Sequence, residues 1–374
     1  MKQYGGAMWC VCYNEVIMII PNVKKIAILR ANAIGDFLVT LPAIYAIREA
    51  YPSAELVLLG RPWHKQFLAN ERTPIDRVVV IPVTKGLREE AGMAEDKEEQ
   101  ERFFESMNQE QFDIAIHFQG KGWAANKFIN KLGARVTAGI VDEGADKIDL
   151  SIGYYYYQSE VIRYLEVAGL IGARPAYLEP VIRVTEEDES EALQLIKDWT
   201  LDAYIVIHPC GTDIRRMWVI DKLAETADTL VNKGYKVVFT GTSEDQIYIN
   251  SILNAMSFEA YDAAGKLSLS GLAAFFKRSR VVVAVDTGPL HLARYVGAKT
   301  VGLYWAPNII NWGPLLRDKH RPVICWKMEC PQCSVIPNDP YPFEPSDSVC
   351  THSYSFIQSI QVTDVVRQVE SLLK

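Results

Sequence analysis

Four residues, Asp286-Thr287-Gly288-Pro289, stand between the apolar run Val281 to Val285 and a helical pattern, and their types suit an anion. Proline is favoured at the first helical position because it has no N–H to leave unpaired, so a helix is expected from about Pro289. The amides of Leu290 and His291, with Gly288 just before them, would then face the strand's carboxyl end. There the helix dipole and free N–H groups favour a phosphate. Thr287 adds a hydroxyl and His291 a ring N–H. The plainer reading of the same residues is a well-capped strand-to-helix turn. A second carboxylate, Asp36, follows Gly35 after the strand-like KKIAILR. It falls in a first helical turn, where an Asp is more often a cap than a catalyst. Gly35 is expected to permit the turn. A third candidate is the loop His117-Phe118-Gln119-Gly120-Lys121-Gly122, at a strand's carboxyl end, where open α/β sheets place ligands. For His117 itself a satisfied structural role is the favoured reading.

These residues require strand–loop–helix units to position them, and the chain supplies two series. Five consecutive β-favouring residues at 281–285 are too apolar for a half-exposed strand and indicate a parallel strand covered on both faces. The unit from Lys24 to Gly60 mirrors it, with Leu38, Leu41, Ile44, Tyr45 and Ile47 at helical spacing. Pro42 within that pattern is expected to kink the helix or mark its true start. Further strands are read at Arg77 to Ile81 and Phe112 to Phe118, separated by a charged, solvated helix or flap from Lys85 to Glu105. The tyrosine run Tyr154 to Tyr157 reads as core and surface cover. After the acidic stretch Leu178 to Ser190, strands resume at Ala203–Ile207 and Tyr235–Thr240. Helices are read at 219–233, 244–256 and 269–277. The 374 residues exceed the size of one growing core. The expected division is an extension at 1–17, domains at 18–180 and 181–354, and a final helix at 355–374.

Composition narrows the class. Hydrophobic residues make up 49% and charged residues 23%, as in a soluble globular protein. A net charge of −7 argues against nucleic acid as a partner, which calls for a basic face. The N-terminal apolar stretch is broken by Asn14 and Glu15, well short of the roughly 20 residues of a membrane span. It also has no continuous signal-peptide core, so a cytoplasmic location is expected.

Three blocks, IAILRANAIGDFLVTLPAIYAIREAYPSAEL, IHPCGTDIRRMW and VVVAVDTGPLHLARYVGAKTVGLYWAP, in that order, resemble glycosyltransferase family 9, the ADP-heptose:lipopolysaccharide heptosyltransferases and their relatives. The resemblance implies an α/β protein of GT-B architecture: two Rossmann-like domains facing across a cleft, with the final helix, Phe356 to Leu373, crossing back onto the first domain. By the same resemblance Asp36 is the general base. Gly35 belongs to its turn, and Asp286, Thr287, Gly288, Pro289, Leu290 and His291 form the donor site. Thr212 and Arg216 match a middle motif near the donor phosphates, where Arg216 departs from the family's usual Lys. Glu244 is a nucleoside contact or an ordinary first-turn acid. The implied partners are a nucleotide-sugar donor, ADP-heptose above others, and a lipid-linked saccharide acceptor, with peripheral membrane contact at the inner face left open. The residues themselves agree with such a transfer. It needs a base for the incoming hydroxyl, which Asp36 offers, and positive groups for the departing diphosphate, which Arg215, Arg216 and the helix start offer. No Asp-x-Asp element is present to hold Mg²⁺, so no metal cofactor is expected; inversion at the anomeric carbon is what the resemblance implies. Two other readings stand beside this one: a sugar-nucleotide epimerase on a similar frame, and a non-catalytic nucleotide-sugar binder.

Seven cysteines remain. Cys325, Cys330, Cys333 and Cys350 cluster late, with His352 nearby, and could hold structural zinc. A single Cys-x-x-Cys pair is looser than two zinc knuckles, so reduced thiols are the favoured reading. Cys10, Cys12 and Cys210 have no matching partners.

Overall fold

The computed structural model describes residues 19–336 and 350–374. The expected extension at 1–17, with Cys10 and Cys12, lies outside the described residues. Twelve strands are seen among those residues: β1 Lys25–Leu29, β2 Glu55–Gly60, β3 Arg77–Val80, β4 Ile114–His117, β5 Val136–Val141, β6 Leu150–Gly153, β7 Tyr204–His208, β8 Lys236–Phe239, β9 Tyr261–Asp262, β10 Val281–Val285, β11 Thr300–Trp305 and β12 His320–Cys325. They form two six-stranded sheets, ordered β3-β2-β1-β4-β5-β6 and β12-β11-β10-β7-β8-β9. Every pairing is parallel. Read from the middle outwards the two orders are the same, the doubly wound arrangement of a Rossmann-like fold.

The helices follow from the pattern between strands: α1 Ile34–Leu38, α2 Leu41–Ala50, α3 Pro62–Phe67, α4 Lys97–Gln109, α5 Ala125–Asn130, α6 Glu160–Gly169, α7 Glu186–Asp198, α8 Ile220–Asn232, α9 Gln246–Ala255, α10 Leu269–Arg278, α11 Gly288–Tyr295, α12 Ala306–Trp312 and α13 Val362–Leu373. What reads in sequence as one helix after Asp36 is two. The chain breaks at Val39-Thr40, and α2 restarts with Pro42 in its first turn, where its missing N–H costs nothing. In the charged stretch only the second half is helical. α4 starts where Asp96 accepts hydrogen bonds from the amides of Glu98 and Glu99.

Continuous apolar strands are buried on both faces, as parallel strands are. In β1, Ile26 and Ile28 join one core cluster while Ala27 and Leu29 join another. In β10, Val282 and Ala284 join the first cluster, and Val281, Val283 and Val285 a third. That first cluster runs from the inner face of one sheet to the inner face of the other, so the two units share apolar packing. The final helix differs from expectation. Its Val362, Val365, Val366, Val369 and Leu372 bury into the second unit's core, against α8 and β10 to β12. A helix with that apolar stripe settles on the surface it covers, which here belongs to the second sheet.

One buried ion pair ties the units together. Arg72, just after α3, and Asp188, in the first turn of α7, are both almost wholly buried, and Arg72 Nη2 donates to Asp188 Oδ1 at 2.6 Å. The second guanidinium nitrogen donates to the other carboxylate oxygen. Burial alone would raise the Asp188 carboxyl, but the Arg72 guanidinium and the Thr185 amide hold it below its ordinary value. Arg72→Ala would leave that carboxylate buried without a partner and should cost about 3–5 kcal/mol in urea unfolding. Arg72→Met with Asp188→Asn, which keeps the α7 cap, should recover more than half of the loss.

Candidate active site at two facing switch points

In each sheet the connections diverge at one place, between β1 and β4 in the first and between β7 and β10 in the second. Loops at such points open a crevice at the strands' carboxyl ends. Asp36 follows β1, and the Thr212–Arg216 and Asp286–Gly288 loops follow β7 and β10. The sequence candidates from both halves therefore sit at the switch points. These points face each other: α1 packs on α11, with Gly35 against Gly288. A Cβ on Gly35 would lie 3.0 Å from His291 Cδ2 and 3.1 Å from Gly288 Cα, and one on Gly288 would lie 2.5 Å from Ile34 Cγ2. Neither glycine has a positive φ. Gly35 thus suits a close approach across the units, where a Cβ would be crowded, more than the turn its sequence context suggests.

On the first side, Asp36 does not cap α1. Ala33 occupies the N-cap and no side chain bonds there. The half-buried Asp36 carboxylate instead pairs with Arg30, Nη2 to Oδ1 at 3.3 Å, and Arg30 Nε donates to the Asp36 carbonyl at 3.0 Å. Arg30 is buried, also bonded to the Phe118 carbonyl, and its guanidinium lies 5.2 Å from the Tyr164 ring centre. Sequence reasoning passed over Arg30, although a charge ending an apolar strand just before the Gly-Asp turn was a legible signal. Asp36 lines a cavity of about 350 Å³ with Asn32, Arg61, Glu89 and Gln119. Gln119 is fixed by the amide of Ala31, which donates to its Oε1 at 2.8 Å. The loop after β4 therefore contributes Gln119 rather than His117. His117 is wholly buried, with ring nitrogens 3.1 Å and 3.2 Å from the amides of Ile140 and Gln119, and burial lowers its pKa to about 4. This is the structural role expected for it.

On the second side, α11 starts one residue before the expected Pro289, with Thr287 as N-cap. Thr287 makes no side-chain cap bond, and its Oγ1 is buried with no hydrogen-bond partner. Leu290 and His291 are buried, and the His291 amide already donates to the Thr287 carbonyl at 3.3 Å. Arg215 and Arg216, adjacent in sequence, part ways. Arg215 grips Asp213 and lies 5.0 Å over the Phe356 ring, whereas Arg216 reaches toward Asp286. Its Nη1 donates to the Asp286 carbonyl at 3.3 Å, Nη2 lies 3.4 Å from Thr212 Oγ1, and the Asp286 carboxylate is 3.9 Å away. These are long contacts, and Arg216 remains 30% exposed, so its guanidinium retains donors for a ligand. Asn308, from α12, donates to Asp286 Oδ2 at 2.8 Å and lies just past the late sequence block. Glu244 is exposed in a 3-10 turn after β8, the strand next to β7, while its neighbour Asp245 makes the capping bonds.

Burial sets the protonation of this side. It pushes the Asp286 carboxyl up to about 6, opposed by Arg216 and by the Asn308 hydrogen bond. It lowers His291 to about 3, with Arg294 adding to the shift. Arg294 Nη1 lies 3.2 Å from His291 Nδ1, and a guanidinium only donates, so Nδ1 is the acceptor and Nε2 carries the hydrogen. That hydrogen points toward Asp286 Oδ1, 3.8 Å away. Arg294 is anchored in turn on the buried Glu179, whose carboxyl would be raised by burial but is held at about 2 by the His320 ring, 3.0 Å from its Oε2, and by the Arg294 guanidinium, which donates to its Oε1.

Two Rossmann-like units presenting their switch points to each other, with a carboxylate on one side and cationic and helix-terminal groups on the other, form the GT-B architecture. The sequence model of glycosyltransferase family 9 (heptosyltransferase) matches residues 100–339. The chain belongs to that family. It is 22% identical over 303 residues to the lipopolysaccharide core heptosyltransferase OpsX of Haemophilus influenzae, covering 78% of this chain and 82% of that protein. The family 9 glycosyltransferase structure from Veillonella parvula superposes with a TM-score of 0.74 at 20% identity, covering 94% and 97% of the two chains. For the E. coli ADP-heptose LPS heptosyltransferase II the values are 0.69, 18%, 93% and 98%. The dodecameric iron-containing heptosyltransferase TibC shares the fold more distantly, at 0.53 and 13%, covering 96% and 78%.

The raised Asp286 carboxyl has a signature in stability. The folded state keeps that proton at pH values where the unfolded chain, near its ordinary 3.8, has lost it. Its contribution therefore falls as pH rises from about 4 to about 6 and is constant above. The buried, neutral His117, His208 and His291 slope the other way. Taking Asp286→Asn minus wild type removes them. The melting-temperature advantage of the Asn variant should grow between pH 4 and about 6 and then level off; a flat difference would mean that Asp286 titrates normally.

Proposed function

We propose that this enzyme transfers a heptose from ADP-heptose, or a closely related nucleotide sugar, to a lipid-linked saccharide of the lipopolysaccharide type, without a catalytic metal and with inversion at the anomeric carbon. The observation that carries this reading is the facing of the two switch points. It sets the first unit's cavity beside Asp36, suited to an acceptor, across from the α11 start, where Arg216, Asp286 and the unpartnered Thr287 hydroxyl lie and suit a donor. Family membership and the lipopolysaccharide and ADP-heptose names of the relatives supply the sugar and acceptor class. The same membership removes the reason to prefer an epimerase or a bare binding protein.

In this mechanism the Asp36 carboxylate takes the proton of the acceptor hydroxyl as its oxygen attacks the anomeric carbon. Arg30 holds Asp36 in place from behind. The bond from that carbon to the diphosphate oxygen breaks, and its electron pair leaves on the diphosphate. Arg216 and the amides of Gly288 and Leu290, which precede the first intrahelical bond of α11, stabilise the departing charge. Asp286, fixed by Asn308, would accept a hydroxyl hydrogen of the donor sugar. Glu244, exposed at the neighbouring strand end, would contact the nucleoside. Among the described residues no helix is long and apolar enough to cross a membrane. Contact with a lipid-linked acceptor belongs to the proposal as a peripheral one, made from the cytoplasm at the inner face of the membrane.

Asp36→Asn should leave folding and binding of ADP intact and cut turnover by about 10²- to 10⁴-fold, the usual contribution of a positioned base. Near-wild-type turnover with the true acceptor at saturating donor would refute the assignment. Arg216→Ala should lower turnover about a hundredfold, the scale of one preorganised electrostatic contact. An unchanged rate with an altered choice of sugar would move Arg216 from the leaving group to recognition. Turnover is measured by release of ADP from ADP-heptose.

A further inference from the structure

The loop after β12 and the segment leading to α13 meet in a group that the transfer reaction does not use. Cys330, Cys333, Cys350 and His352 each turn one ligand atom inward, and all four atoms lie within 4.8 Å of one another. The Cys333 and Cys350 sulfurs are 3.7 Å apart, and His352 Nδ1 lies 3.7 Å from Cys350 Sγ and 3.8 Å from Cys330 Sγ. Tetrahedral zinc, with bonds of about 2.3 Å to sulfur and 2.0–2.1 Å to nitrogen, requires S···S edges of about 3.8 Å and S···N edges of about 3.5 Å. Disulfide sulfurs would lie about 2.05 Å apart. The turn around Cys330 supports the same chemistry. The Gln332 amide donates to Cys330 Sγ at 3.4 Å, and Cys330 N and Ser334 N close the turn on the carbonyls of Val335 and Cys330 at 2.8 Å and 2.9 Å. An amide donating to sulfur stabilises the thiolate over the thiol, and the thiolate is what a metal binds.

We propose that Cys330, Cys333, Cys350 and His352 hold one tetrahedral divalent transition-metal ion, and that this ion fixes the turn carrying Arg216. Three thiolates and an imidazole are soft to borderline donors that select zinc or iron(II) over magnesium or calcium. All four positions are filled by protein, leaving none for substrate, so the site is structural. Cys325, grouped with these cysteines in sequence, stands apart. It ends β12, with Sγ 2.9 Å from Ser359 Oγ, and His352 takes the fourth place. A linear reading saw one Cys-x-x-Cys pair and too loose a spacing, because the second pair of ligands, Cys350 and His352, is separated from the first by chain length and joined to it only by the fold.

The route to the active site is short. From His352 the chain runs through Ser355, whose Oγ donates to the Met217 carbonyl at 2.7 Å, and Phe356, whose amide donates to the Arg215 carbonyl at 2.6 Å. The Phe356 ring stacks on Trp305 and supports the Arg215 guanidinium. Arg216 lies between the two residues so held. Its leaving-group role rests on the reading given above; the metal site does not.

Full-length protein purified under reducing, anaerobic conditions should contain about one zinc or iron per chain by elemental analysis, the element found telling which. Cys333→Ser and His352→Ala should each lose it, and Cys325→Ser should keep it. Cobalt(II) reconstitution should give the thiolate charge-transfer and tetrahedral ligand-field bands, which report on the ligand set without any assay of transfer. Less than a tenth of an equivalent of any transition metal, with no cobalt spectrum, would overturn the site. Stripping the metal with a chelator, with circular dichroism to verify that the fold persists, should weaken ADP binding about tenfold in wild type and not further in Arg216→Ala, a coupling of ordinary size. ADP binding unchanged by stripping, or weakened equally in both, would overturn the link to Arg216 while leaving the metal count to stand or fall separately.

Discussion

The contact on which this structure turns is that of two glycines. At Gly35 and Gly288 the backbones of α1 and α11 come so close that a Cβ on Gly288 would overlap Ile34 and one on Gly35 would be crowded by Gly288 and His291, and the two switch points lie opposite each other at this contact. Each Rossmann-like unit can build a crevice alone, but neither alone brings a carboxylate and an anion-binding helix start into one site. The continuous core cluster between the sheets and the Arg72–Asp188 pair support the same juxtaposition from the side. They differ in kind, because apolar packing tolerates sliding, while a buried bidentate pair tolerates very little.

Within the site, burial does different work on the two sides. On the Asp36 side the carboxylate is open to a cavity and braced by an arginine that is itself hidden. On the Asp286 side the carboxyl, the imidazole and the arginine beneath are buried together, so charge is settled by desolvation and by the few partners within reach. On the proposed reading the hydroxyl would arrive at the side open to a cavity, while the diphosphate would meet the exposed Arg216 backed by the buried Asp286, His291 and Arg294. Burial beneath such a donor lowers the local dielectric and strengthens its pull on a phosphate.

Much of this was legible in the chain. The strands β1 and β10 declared themselves by unbroken apolar runs, α11 by its proline, and the restart of α2 by Pro42, because each of these signals is local. What stayed hidden was non-local. Asn308 acquires its role from a residue 22 positions away, whose side chain it holds. Gly35 looked like a turn residue, because a sequence does not show what lies across a cleft. The final helix followed its apolar stripe onto the second sheet, a choice that depends on which surface lacks cover. His352 became the equal of three cysteines only when residues far apart in sequence were folded together.

The placement of that final helix has a mechanical outcome. With α13 on the second unit, the described chain passes from one unit to the other once, between α6 and α7. A joint made of two strands bends about one axis, whereas a joint made of a single strand can also twist. Here what resists both motions is packing across the units: the close approach of Gly35 and Gly288, the shared apolar cluster, and the buried Arg72–Asp188 pair, which together do what a second crossing of the chain would otherwise do.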